Sequence, residues 1–222
     1  MSRFFVGITG ASGHVYAQGV VAELVRAGHE VDLSITSAGC RVLRHELGVE
    51  AGERGERLAS SLPGWLGEEI AAAVRVFHSD DIGAPPASGT ALTRAVAIVP
   101  CSMGTLARIT AGFSSNLVER AADVALKEGR TLMVMPRETP LSELHLENLL
   151  RLARMGAVIL PCAPGFYHRP KTLDDLVAHL VGKALDRLGV EHAVVERWTG
   201  EDEPPPEPGI EMLKGGPGGD QE

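Results

Sequence analysis

Arg137 and Glu138 are the first residues that could do chemistry. They follow the segment KEGRTLMVMPRE (127–138), in which the apolar run 131–135 has the composition of a strand buried in a parallel sheet. Ligands of an open parallel sheet sit outside the carboxyl ends of its strands, so a charged pair at that point is placed for reaction. The same pair would also serve as the start of a solvated loop, and residue type alone leaves both readings open. A second candidate is Thr9-Gly10-Ala11-Ser12-Gly13, which follows the apolar residues 4–8 and precedes a helical pattern. Such a turn lets backbone N–H groups and a helix N-terminus approach a phosphate, with the Thr9 and Ser12 hydroxyls as further donors. It has neither the GxGxxG order nor the GxxxxGK[ST] lysine, and a tight strand-to-helix turn needs glycine for packing in any case.

The elements that must carry these groups alternate along the chain. Strands are predicted over 4–8, 30–35, 95–99, 131–135 and 157–160, with a short edge strand at 75–77. Helices are predicted from Val15 to the stop at Gly28, over 40–47, 65–74, 116–127, 144–155 and 173–188, and after the segment 101–105. Pro100 is expected to break the fourth strand. This alternation implies a three-layer, doubly wound parallel α/β sheet, Rossmann-like in layout. Hydroxyls recur at strand ends, with Thr36 and Ser37 after the second strand and Ser102 and Thr105 after the fourth. The loop 80–89 is stiffened by two prolines and two glycines. A flat ring carrying a phosphate would suit such groups. Glu46, on a helix, reads as a solvated charge, and Cys101 reads as a packed thiol more readily than as a nucleophile.

Composition excludes several classes. The 222 residues are 44% hydrophobic and 23% charged, with a formal charge of −8, and no basic stripe interleaved with aromatics marks a nucleic-acid surface. Cys40, Cys101 and Cys162 are three and widely spaced, which suggests neither disulfides nor zinc and suits a reducing cytoplasm. No secretory h-region opens the chain, and no apolar run reaches the ~18 residues of a membrane span. One domain is expected over 1–199. The acidic, proline- and glycine-rich stretch 200–222 is expected to be a disordered tail.

Six blocks in order, GITGASG (7–13), APPASG (84–89), PCSMGTLA (100–107), ERAADVALKE (119–128), PRETP (136–140) and PGFYHRP (164–170), resemble the UbiX-type flavin prenyltransferases, over about 4–198. The resemblance implies a flavodoxin-like homododecamer with sites at subunit interfaces. It implies a metal-independent transfer of a dimethylallyl group from dimethylallyl phosphate to N5 and C6 of reduced FMN, and release of prenylated FMN to a UbiD-type decarboxylase. By matching position, Gly10, Ala11, Ser12, Thr36, Ser102, Met103, Gly104, Thr105 and Arg120 resemble the flavin-contacting residues. Lys127, Arg137, Tyr167 and Lys183, with Ser12, resemble those that hold the prenyl phosphate. Glu138 matches a carboxylate beside the leaving phosphate, and Glu46 one near the flavin N5. Ser12, Glu46, Lys127, Arg137 and Glu138 are thus the implied catalytic set. Lys183 stands where many members have arginine and gives up the bidentate fork. Thr36 stands where many have serine. His14 stands where alanine is frequent, with no assignable role. The rival readings are an FMN-dependent cysteine decarboxylase, which typically carries a PxMN-type motif where this chain has Pro136-Arg137-Glu138, and a non-catalytic flavin carrier, which would not need Lys127, Glu138 and Lys183 together.

Overall fold

The computed structural model describes residues 1–195, and the expected tail at 200–222 lies outside them. Six parallel strands form one sheet: β1 (Arg3–Ile8), β2 (Glu30–Ile35), β3 (Val74–Val76), β4 (Thr93–Cys101), β5 (Thr131–Pro136) and β6 (Val158–Ile159), in the order β3-β2-β1-β4-β5-β6. The order reverses between β1 and β4, which places a crevice at their carboxyl ends.

Side-chain alternation builds both faces at once. In β1, Phe4, Val6 and Ile8 enter one core and Phe5 the other; in β4, Ala95, Ala97 and Val99 oppose Val96 and Ile98. Burying a phenylalanine as fully as Phe5 stabilises the fold by about 1.5–3 kcal/mol. The first core is covered by α1 (His14–Arg26), α2 (Ser37–Leu47), α3 (Leu58–Leu66), α4 (Glu68–Ala71) and α8 (Leu173–Leu188). The second is covered by α5 (Met103–Thr110), α6 (Leu117–Lys127) and α7 (Glu143–Arg154). Gly7 lets α6 press on the sheet, since a Cβ there would lie 2.6 Å from Val118 Cγ1.

Three sequence expectations change. Pro100 does not end β4, which continues to Cys101 while its pairing with β5 shifts register after Ile98. The Pro100 carbonyl stays useful, accepting from the Thr9 N–H and hydroxyl. The helix expected over 65–74 is two helices divided at Gly67, whose φ of 86° no helical residue adopts, and its last residue belongs to β3. The strand expected over 157–160 is only Val158–Ile159 and half-buried, because it pairs on one side alone, with β5.

Candidate active site

Thr9 fastens the two central strands where the crevice opens. Its hydroxyl donates to the Pro100 carbonyl at 2.8 Å and accepts from the Ser102 N–H at 2.8 Å, using both capacities of one buried oxygen. The adjoining turn and α2 approach as closely as glycine permits: a Cβ on Gly10 would lie 2.6 Å from the Ala38 Cβ, and one on Gly39 3.1 Å from the Ile8 carbonyl oxygen. Gly10, Ala11, Ser12, Thr36 and the segment Ser102–Thr105 therefore meet around the ends of β1, β2 and β4.

Two helix N-termini face this crevice. Thr36 caps α2 by accepting from the Gly39 N–H at 3.2 Å, and Ser102 caps α5 by accepting from the Thr105 N–H at 3.3 Å. Each cap satisfies one of the four N–H groups of a helix start, the Thr36 and Ser102 N–H groups bond to the Ile8 carbonyl and the Thr9 hydroxyl, and the two between remain for an anion. The Thr105 hydroxyl accepts from Ser102 and Arg108, which leaves its own proton to donate. Arg108 is in turn paired with Glu119, a fully buried carboxylate that also accepts from the Ser115 N–H and hydroxyl. Sequence reasoning missed Arg108 and Glu119; the available signal was the three-residue spacing that puts Thr105 and Arg108 on one helix face.

The α1 N-terminus differs from the expectation. Its anion belongs to the protein: Glu46 accepts from the Gly13 N–H at 3.0 Å and the His14 N–H at 3.0 Å. Burial pushes the Glu46 carboxyl up, but hydrogen bonds from the Ser12 side chain and from the His14 and Gly13 amides hold it below the ordinary value. Glu46 is thus an ordered carboxylate beside the turn, not a solvated charge.

The cationic residues do not all gather with it in one chain, because Lys127 lies at the other rim of the sheet. Arg137 begins the loop after β5, donating its N–H to the Cys101 carbonyl at 3.4 Å, and its Nε is buried without a hydrogen-bond partner among the described residues. Glu138 beside it is exposed, its carboxylate accepting from the Thr139 N–H at 3.1 Å. Tyr167 stands edge-on to His168 and His179, whose rings stack at 4.6 Å, and burial with the neighbouring His168 and Lys183 charges lowers the His179 pKa. Arg120, in the first turns of α6, pairs with Asp123. Lys127, at the other end of α6, pairs with Glu128 beside Gly89, at the amino-terminal rim of the sheet. Convergence of Lys127, Arg137 and Lys183 on one anion, the arrangement that the implied phosphate site requires, therefore does not occur within a single chain.

Cys101 and Cys162 are pushed up to about 12 by burial, and Cys40 to about 11, which makes them inert thiols at neutral pH. Among the described residues no group of three or more His, Cys, Asp or Glu could hold a metal ion. Nor is any described helix long and apolar enough to cross a membrane.

The Flavoprotein family profile matches residues 1–185. The flavin prenyltransferase UbiX of Halalkalibacterium halodurans is 49% identical over 198 residues, covering 89% of this chain and 94% of that protein. The chain belongs to the UbiX-type flavin prenyltransferase family. Two solved relatives of this family share the architecture. AnUbiX (PadA1), in complex with FMN and dimethylallyl pyrophosphate, superposes with a TM-score of 0.80 at 35% identity, covering 90% of this chain and 99% of that one. A dodecameric FMN-dependent UbiX-like decarboxylase from Escherichia coli O157:H7 superposes with a TM-score of 0.77 at 38% identity, covering 89% and 100%. The doubly wound sheet expected of a UbiX-type chain is the fold observed.

Proposed function

We propose that this protein joins a dimethylallyl group from dimethylallyl phosphate to N5 and C6 of reduced FMN, giving prenylated FMN for a UbiD-type decarboxylase in the cytoplasm. Residues 1–199 act as one flavoprotein domain. The observation that carries the reading is the pair of capped helix N-termini beside an amide-bound carboxylate, Glu46, at the reversal of strand order.

This donor set fits FMN. The hydroxyls of Thr36 and of Thr105, the latter held by Ser102, and the free amides of α2 and α5 match a phosphate monoester, while Gly10, Ala11, Ser12, Met103 and Gly104 are the small or flexible residues that let a flat ring approach backbone. Bound reduced FMN supplies the nucleophilic ring atoms. Ser12 and Glu46 are the pair that would accept a proton from the reacting nitrogen, Glu46 as the carboxylate and Ser12 as its hydrogen-bond donor.

The donor phosphate is held by Lys127, Arg137, Tyr167 and Lys183 with Ser12. Loss of an allylic phosphate places negative charge on its oxygens, which fixed cations stabilise without reorganisation. Glu138 handles a proton during departure or ring closure. Lys127 lies at the opposite rim of the sheet from Arg137, so the site forms where copies meet: Lys127 and Arg120 of one subunit face Arg137, Tyr167 and Lys183 of others in a homododecamer. The half-buried β6 edge and the exposed Leu144, Leu146 and Leu150 of α7 are consistent with such packing.

The test is anaerobic incubation with reduced FMN and either dimethylallyl monophosphate or the diphosphate, followed by mass spectrometry of the extracted flavin. Addition of one five-carbon unit is expected with at least one donor. Unmodified flavin with both would remove the enzymatic reading.

A further inference from the structure

His14 is fully buried at the start of α1, and a polar ring in such a place needs partners. One is clear. Its Nε2 lies 3.2 Å from the Thr9 carbonyl, which can only accept, so Nε2 carries a hydrogen. The other nitrogen, Nδ1, is buried with no hydrogen-bond partner among the described residues and faces Glu46 Oε2 at 3.5 Å. In a neutral ring with hydrogen on Nε2, Nδ1 presents a lone pair. A lone pair aimed at an ionised carboxylate is repelled, and the same pair aimed at a carboxyl O–H accepts a hydrogen bond. The contact is therefore favourable in proportion as a proton lies between the two atoms.

Glu46 is otherwise saturated as an anion, by the Gly13 and His14 amides and Ser12. It is the charged group that faces His14 from α2, while α1 carries no acidic residue in its first turn and the β1–α1 turn contributes only the Thr9 carbonyl.

We propose that His14 is a positioning residue for Glu46, its Nδ1 accepting the proton that Glu46 removes from the substrate, so that one proton is shared between Glu46 Oε2 and His14 Nδ1. This deepens the proposed prenyl transfer and rests on it. The balance is simple: the reacting N–H loses its proton to Glu46, its electron pair stays on the substrate nitrogen that bonds the incoming allylic carbon, and the departing phosphate keeps the electrons of the broken C–O bond. The proton then sits on Glu46 hydrogen-bonded to Nδ1, or on Nδ1 with Glu46 ionised again and held by its amides. In the resting site burial lowers the His14 pKa by more than the Glu46 carboxylate and the Thr9 carbonyl raise it, which keeps the ring neutral and the lone pair available.

The first test needs no flavin. Nitrogen-15 NMR of the imidazoles in the full-length apoprotein should show His14 as the Nε2–H tautomer at neutral pH, with an Nδ1 signal that shifts in Glu46→Gln. The second is the pH dependence of single-turnover prenyl transfer. Two protonation sites take up the first proton at higher pH than one, so removing the ring in His14→Ala should lower the acidic limb by about one pH unit and slow transfer at least about tenfold. Either an Nδ1 signal indifferent to Glu46→Gln or an acidic limb unmoved in His14→Ala overturns the proposal; the NMR arm holds even where the alanine variant folds poorly. Full transfer activity in Glu46→Gln would instead show that the prior assignment of Glu46 to the reaction has failed, a result distinguishable from failure of the His14–Glu46 contact seen by NMR.

Discussion

Lys127 and Arg137 stand at opposite ends of β5. Lys127 closes the helix that feeds the strand and Arg137 opens the loop that leaves it. Six extended residues separate them by roughly 20 Å, too far for one phosphate to touch both. Co-expression therefore makes a direct test. Lys127→Ala and Arg137→Ala should each lower prenyl transfer at least about tenfold, since each loses a charge-assisted contact. Mixed oligomers of the two variants should recover part of the activity, because some sites then combine an intact Lys127 with an intact Arg137. Activity no higher than that of the separate variants would place the two residues in unrelated roles.

Glu119 predicts an acid-sensitive site. Burial raises its carboxyl, but hydrogen bonds from Ser115 and Arg108 outweigh this and hold it below the ordinary 4.5. A depressed carboxylate stabilises the fold above its unfolded value, and that contribution disappears as pH falls through the folded value. Denaturant titrations should show the wild type losing stability below about pH 4.5 more steeply than Glu119→Gln. At pH 7 Glu119→Ala should cost about 2–4 kcal/mol, since it strands the Ser115 N–H and Arg108, and flavin affinity should fall with the freed Thr105.

The Thr9 hydroxyl joins β1 to β4 with two bonds of 2.8 Å. Thr9→Val keeps the shape and removes both. A loss of about 1–3 kcal/mol is expected by urea unfolding, with weaker FMN binding as the α5 N-terminus loosens. Unchanged flavin affinity alongside the stability loss would mean that the bonds serve packing alone.

Gly10→Ala offers a steric counterpart. The added methyl meets the Ala38 Cβ at 2.6 Å, so α2 must move away from the turn. The expected cost is about 1–3 kcal/mol, and a crystal structure of the variant should show Thr36 displaced.

Cys101 separates packing from chemistry. Its thiol is buried and pushed up to about 12, so alkylating reagents at pH 8 should label it only after unfolding. Cys101→Ala should leave the transfer rate unchanged; a loss of turnover without loss of folding would reopen the nucleophile reading.

Local periodicity determined most of the fold. The apolar run Glu30–Ile35 and the helix Leu173–Leu188 are bounded in the structure as in the sequence, because their patterns and flanking caps are local signals. The motif blocks likewise placed the glycine turn and the hydroxyls at strand ends. What tertiary structure decided was long-range. Pro100 continues its strand because its carbonyl, not its missing N–H, is what Thr9 needs. Glu46 turns from a surface charge into an anchored carboxylate because the α1 amides, thirty-odd residues away, have no other anion. Lys127 and Arg137 are ten positions apart in sequence and look like partners, but a strand between two residues holds them apart. No pattern of residue types contains that fact, since only the direction of the chain through the sheet fixes which rim each side chain reaches.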